Sequence, residues 1–330
     1  MASRGLKLIG YGFTLLLVVG VAVAAWQWKP IQAHLTAGKL RSATSADERA
    51  AHARQLLTSG EAGIARLIDV FRTGTPDDCD AVAEVLSAEL SDRTADDPTF
   101  AAVCRPLLAA CHAFNDAGTA ATVGLVPVLL RCGEPDASER CREIVRAGLT
   151  GGNKTTAVRL AVGLGLKGEV VPLLDDPDAE VRRAAMAAVG PAGVGAPAVE
   201  TEDLFRWLND PDAQVRVLCE AALSTRGLEP DQIAAGRRLT HPEAGERLKL
   251  VLDLERNRAA FRDPSPWLER LSRDPDPAVR AGAARVGYES RLEFGGWLDR
   301  LTADPDATVR RIATYHKRRA DEVRQAGARE

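Results

Sequence analysis

The stretch Asp274-Pro275-Asp276-Pro277-Ala278-Val279-Arg280 decides the fold, because it returns along the second half of the chain at a nearly constant period. Close copies are Asp176-Pro177-Asp178 with Val181-Arg182, Asp210-Pro211-Asp212 with Val215-Arg216, and Asp304-Pro305-Asp306 with Val309-Arg310. A weaker copy, Pro242-Glu243 with Glu246-Arg247, fills the one gap. The prolines stand 34, 31, 33 and 30 residues apart, and self-similarity at such a period marks one supersecondary unit repeated along the chain. Asp before Pro reads as a helix N-cap, with Pro already set to helical φ at the first helical position. The second acid then sits in the first turn, where the positive end of the helix dipole favours it. Apolar residues follow at helical spacing, as in Val181, Ala184, Ala185 and Ala188, or Val215, Leu218 and Ala222. A shorter apolar stretch precedes each motif, such as Leu268 to Leu271 or Leu298 to Leu301. Two antiparallel helices per repeat predict stacked hairpins, that is, an all-α solenoid.

The pattern L-x-x-D-P-D-x-x-V-R-x-x-A resembles the HEAT repeat, in the short form also seen in bilin-lyase-like proteins. The match is strong from about Val170 to Arg319, so residues 166–319 are read as HEAT-like repeats. Upstream, Pro135-Asp136 and Pro76-Asp77-Asp78 look like openings of degenerate copies. Residues 45–165 are therefore either diverged repeats or a separate helical cap. The resemblance implies that Arg182, Arg216, Arg247, Arg280 and Arg310, with the motif aspartates, form rungs between neighbouring repeats. Arg183 and Arg311 stand beside that column and are the candidates for contact with a partner, against the plainer reading of a solvated charged face.

The first half opens differently. After a basic N-terminus (residues 1–7) come 21 residues without a charge, Leu8 through Trp28. At 1.5 Å per residue these span about 31 Å, the thickness of a bilayer core, and Trp26 and Trp28 lie where interfacial rings settle. Residues 8–28 are read as a signal anchor. A cleaved signal peptide with Ala22-Val23-Ala24 as cleavage site, giving a secreted protein, is the alternative. The short basic N-terminus favours the cytoplasm, which would place the repeats outside it. Residues 29–44 read as a juxtamembrane linker, Ser45 with Glu48 as a capping box, and residues 320–330 as a polar tail.

Chemistry is sparse. There is no phosphate loop and no Gly-x-Ser-x-Gly elbow. Gly163-Leu164-Gly165-Leu166-Lys167-Gly168 matches G-x-G-x-x-G, but a helix rather than a strand is expected before it, so an inter-helix turn is the reading. The five histidines are scattered and none is followed by Glu. The His-Glu pairs of the HEAT-like deoxyhypusine hydroxylases are thus absent, and that activity is not carried over. Six cysteines suit either side of a membrane. Cys132 and Cys141, flanking a turn, are the pair best placed to bridge, against reduced buried thiols. A net charge of −3 and a pI near 6.1 offer no field for nucleic acid.

The expectation is a membrane-tethered scaffold that binds a protein partner through its solenoid surface, with no catalysis, no metal and no cofactor. The alternative is a cofactor- or ligand-handling protein related to the bilin lyases, which rests on fold resemblance alone.

Overall fold

A computed structural model describes residues 28–192, 197–256, 263–289 and 296–327. The apolar run 8–28, apart from Trp28, lies outside them, and none of the described helices is long and apolar enough to cross a membrane. The described residues are α-helical and 3₁₀-helical, with no strand among them. Contacts divide the chain into two compact units, with the boundary between Val170 and Val171.

The first unit contains α1 (28–42), α2 (Ala46–Thr58), α3 (Glu61–Thr73), α4 (Pro76–Ser91), α5 (Pro98–Ala110), α6 (Asp116–Val123), α7 (Val126–Leu129), α8 (Ala137–Thr150), α9 (Lys154–Ala161) and α10 (Lys167–Val170). Of the linker expected over 29–44, residues 29–42 are helical and bury Ala33, Ala37 and Leu40. Ser45 caps α2 as its sequence predicts, accepting from the Glu48 amide at 3.2 Å. Thr75 and Asp78 cap α4 reciprocally. Helices α2, α4, α6 and α8 pack each on the next, while α3 packs on α5. Phe71, Phe100, Leu67, Leu86 and Leu107 fill the space between them. Asn115 clips α6 to the end of α3: its Oδ1 accepts from the Gly118 amide at 2.7 Å, and its Nδ2 donates to the Gly74 carbonyl at 3.1 Å. The glycine string starts in the turn between α9 and α10 and runs into α10; in that turn Gly165 takes φ +76°, a left-handed conformation open to glycine. The helix ahead of it rules out the strand that a dinucleotide site requires.

The second unit contains α11 (Ala179–Val189), α12 (Ala213–Thr225), α13 (Pro230–Leu239), α14 (Ala244–Arg256), α15 (Ser265–Leu271), α16 (Pro277–Glu289), α17 (Trp297–Leu301) and α18 (Ala307–Gly327). Short 3₁₀ segments, Val171–Asp175 and Asp203–Asn209, precede α11 and α12. Five helical hairpins result, and in the first two the leading arm is 3₁₀ rather than α. The polar tail expected over 320–330 continues the helix of the last hairpin as far as Gly327. Val181, Val215, Val279 and Val309 are all buried, and Leu268, Leu271, Leu298 and Leu301 of the short arms share one core with Val279 and Val309.

The cap assignment needs correction. The helices begin two residues later than the Asp-Pro signal implies, and the second aspartate is the cap. Asp178 accepts from the Glu180 amide at 2.9 Å, Asp212 from Gln214 and Val215, Asp276 from Ala278, and Asp306 from Thr308 and Val309. The first aspartate of each motif is buried and closes the turn instead. Its Oδ1 accepts from the amide two residues on, at 2.8–2.9 Å in all four copies. A carboxylate turned inward this way cannot also cap a helix that starts outside the turn.

Candidate functional site

Asp-Pro-Asp turns and the arginines that follow them build a ladder inside the second unit. Arg182 holds Asp210 through Nε and Nη2, both at 3.0 Å. Arg247 holds Asp274 at 2.6 and 2.9 Å, and Arg280 holds Asp304 at 2.8 and 2.9 Å. In each case Nη1 donates to two carbonyls of the arginine's own turn, as Arg280 does to Asp274 and Pro275. Each guanidinium thus fastens its own turn and grips the next with a planar, bidentate pair. These hydrogen bonds raise the pKa of Arg182, Arg247 and Arg280, and the bond from Arg280 lowers that of Asp304. Even the weakest copy of the motif therefore forms a complete rung.

One rung is missing. Arg216 fastens its own turn, donating to the carbonyls of Asp210 at 2.7 Å and Pro211 at 3.0 Å. At the next position, however, the chain has His241. Its Nδ1 accepts from the Glu243 amide at 3.1 Å, copying the turn-closing bond of the aspartates but offering Arg216 no carboxylate. The helices agree with this: α11 packs on α12, α14 on α16 and α16 on α18, whereas α12 scarcely touches α14. Arg310, in the last hairpin, likewise holds the carbonyls of its own turn and, among the described residues, no carboxylate of another hairpin.

Opposite that break, the short arms close together. Asn209 donates to the Arg237 carbonyl at 2.8 Å and to the Thr240 hydroxyl at 3.0 Å, and Thr240 donates to the Phe205 carbonyl at 2.7 Å. Phe205 then reaches past the third hairpin to stack on Trp267 of the fourth, with centroids 5.5 Å apart and planes 19° from parallel. Arg270 pairs with Glu202 at 2.7 Å across 68 residues of chain. Gly236 is what lets Phe205 lie there, since a Cβ at that position would stand 2.6 Å from the ring. Between these groups is a cavity of about 400 Å³, walled by Phe205, Leu228, Pro266 and Trp267 and edged by Thr201, Gln232 and the Glu202–Arg270 pair. No single motif announced it, because its walls come from three hairpins.

Arg183 and Arg311 fare differently. Arg183 is fully engaged: it grips Asp212 at 2.9 and 2.6 Å and Glu180 at 2.6 Å. Those bonds raise its own pKa and lower that of Asp212. It is a second, outer tie between the first two hairpins, which its position in sequence did not reveal. Arg311 is exposed and forms no ion pair among the described residues.

All six cysteines are buried free thiols. Cys132 is not bridged to Cys141. Burial pushes Cys79 up to about 11 and Cys104, Cys141 and Cys219 up to about 12, so they are thiols at neutral pH. Among the described residues no group of His, Cys, Asp and Glu is arranged to hold a metal ion.

No family model matches the chain, and no curated protein is similar to it. Among solved structures, the crystal structure of an engineered protein aligns over 88% of this chain and 98% of its own, at 17% identity and a TM-score of 0.22. A likeness of that size carries no argument about fold or function.

Proposed function

We propose that the chain is a membrane-tethered α-solenoid of HEAT-like repeats that docks a protein partner, without catalysis. The observation that carries this reading is the ladder: Arg182–Asp210, Arg247–Asp274 and Arg280–Asp304 join successive hairpins through the same atoms. Hairpins that grip their neighbours in one register, at every step but the one at His241, are the construction of an array that grows by addition and offers an extended surface. The row α2, α4, α6, α8 in the first unit supports extending the repeats to residues 45–165. Residues 8–28 anchor the protein, and the repeats lie outside the cytoplasm. The cavity beside Phe205 and Trp267 receives an apolar side chain of the partner, the usual form of an interface anchor.

The test is a photo-crosslinking residue at Gln232, at the cavity's edge, in full-length protein within its native membrane. One enriched protein, lost when Trp267→Ala is added, is the expected result. Its identity also reports the compartment. Uniform labelling that ignores Trp267→Ala overturns docking at this cavity.

A second reading, ligand handling, is favoured by one feature. A volume of about 400 Å³ lies within the range of small-molecule sites. A coloured or ultraviolet-absorbing compound retained on purification, and lost on filling the cavity, would establish it in place of the scaffold.

A further inference from the structure

Helix α1 has two faces with opposite fates. One face is buried in the first unit: Ala33, Thr36, Ala37 and Leu40 are at most 6% exposed, and Arg41 donates to the Thr73 hydroxyl of α3 at 2.9 Å. On the other side, Trp28, Ile31 and Leu35 are 58%, 50% and 60% exposed. Their spacing of three and four residues puts these three large side chains in one stripe. Lys39 lies a further turn along the same line and is exposed, as are Lys29 and Arg41.

We infer that this stripe seats in the lipid interface beside the membrane anchor, so that α1 is a bracket fixing the first unit to the bilayer surface. The inference rests on the proposal that residues 8–28 span the membrane. Where the stripe begins is the main argument: the uncharged run ends at Trp28, the first residue of the stripe. Whatever covers Ile31 and Leu35 must lie within a few residues of that run, and the bilayer is the apolar phase already there. Trp at the start suits the headgroup level. Pro30 has no amide to donate four residues back, which provides a break where the helix can leave the axis of the span. Lys39 complements anionic headgroups and is able to extend from the end of the stripe into water. An interfacial helix has this construction, with an apolar stripe on one side and a cation at its end. Here the remaining side is occupied by protein, which converts a swinging tether into a fixed mount.

The test uses full-length protein in vesicles of phosphatidylcholine and phosphatidylglycerol. Because all six native thiols are buried, single cysteines introduced as Ile31→Cys, Leu35→Cys and Gln214→Cys can be labelled selectively with an environment-sensitive fluorophore. The expected result is blue-shifted emission at 31 and 35, quenched several-fold more strongly by brominated lipid than at 214. Equal quenching at all three sites, in protein that still resists alkaline extraction, overturns the bracket while leaving the anchor intact. Extraction of the protein by alkali removes the anchor and the bracket with it. Blue-shifted emission at 31 and 35 without quenching by brominated lipid, or crosslinking between copies at 31, assigns the stripe to a protein surface and also overturns the inference.

Discussion

Arg247 reaches Asp274 across 27 residues of chain, with Nε on one carboxylate oxygen at 2.6 Å and Nη2 on the other at 2.9 Å, and both side chains are buried. The hairpin supplying Arg247 has lost the Asp-Pro-Asp signature, yet its link to the next hairpin is complete. The receiving aspartate lies in the following repeat, so a degenerate copy can donate a rung even where it cannot accept one. Removing the arginine leaves a buried carboxylate without its counter-charge. Arg247→Ala is expected to cost about 3 kcal/mol, the scale for breaking a buried pair. Arg216→Ala, which releases no carboxylate, should cost about 1 kcal/mol or less. Urea unfolding of both variants followed by circular dichroism checks the contrast; equal losses would sink the ladder as a source of stability.

The missing rung can be rebuilt. His241→Asp places a carboxylate where Arg216 lacks one, and Asp can also keep the turn-closing bond that His241 makes to the Glu243 amide. A gain of about 0.5 to 1 kcal/mol is expected for a partly exposed pair. In the Arg216→Ala background the gain should vanish, so a double-mutant cycle decides it.

Val279 lies wholly inside the packing of α14, α16 and α18. Val279→Asp would bury an unpaired charge and is expected to cost several kcal/mol. Arg311→Ala, at an exposed site, should change stability by no more than about 0.5 kcal/mol. A melting curve for Val279→Asp that matches the parent would show the repeat register to be wrong.

Acid should loosen the ladder in a defined window. Hydrogen bonds from Arg280 hold the Asp304 carboxyl below the usual carboxylate range. The unfolded chain, with aspartate near about 3.9, therefore takes up protons first. This contribution is full above about pH 4 and is lost as pH falls through the depressed native value. The unfolding midpoint should carry a drop below about pH 4 that Asp304→Asn reduces. An unchanged acid limb in that variant would contradict the assignment.

Gly236→Ala tests the cavity. The added methyl would stand 2.6 to 2.8 Å from three atoms of the Phe205 ring, so the ring must move off Trp267 at a cost of about 1 to 3 kcal/mol. Near-ultraviolet circular dichroism should register the loss of the stack. Capture of a partner through Gln232 should fall with it, and full retention of both signals would show that Gly236 does not position Phe205.

The periodic Asp-Pro-Asp and Val-Arg signals determined the helical hairpins, their number in the second half and the burial of one valine per motif. Each of these depends on residues a few positions apart, where periodicity and local hydrogen bonding act. The same local reading misplaced the caps by two residues, because the first aspartate turns inward to close its own turn, held there in three copies by an arginine 24 to 28 residues away. It also left Arg183 free when Asp212 engages it. Pairing across repeats, the gap at His241, the Phe205–Trp267 cavity and the two-faced helix α1 were decided only by tertiary structure. All of them join side chains that are distant in sequence, and no short-range pattern encodes which distant partner a side chain will meet.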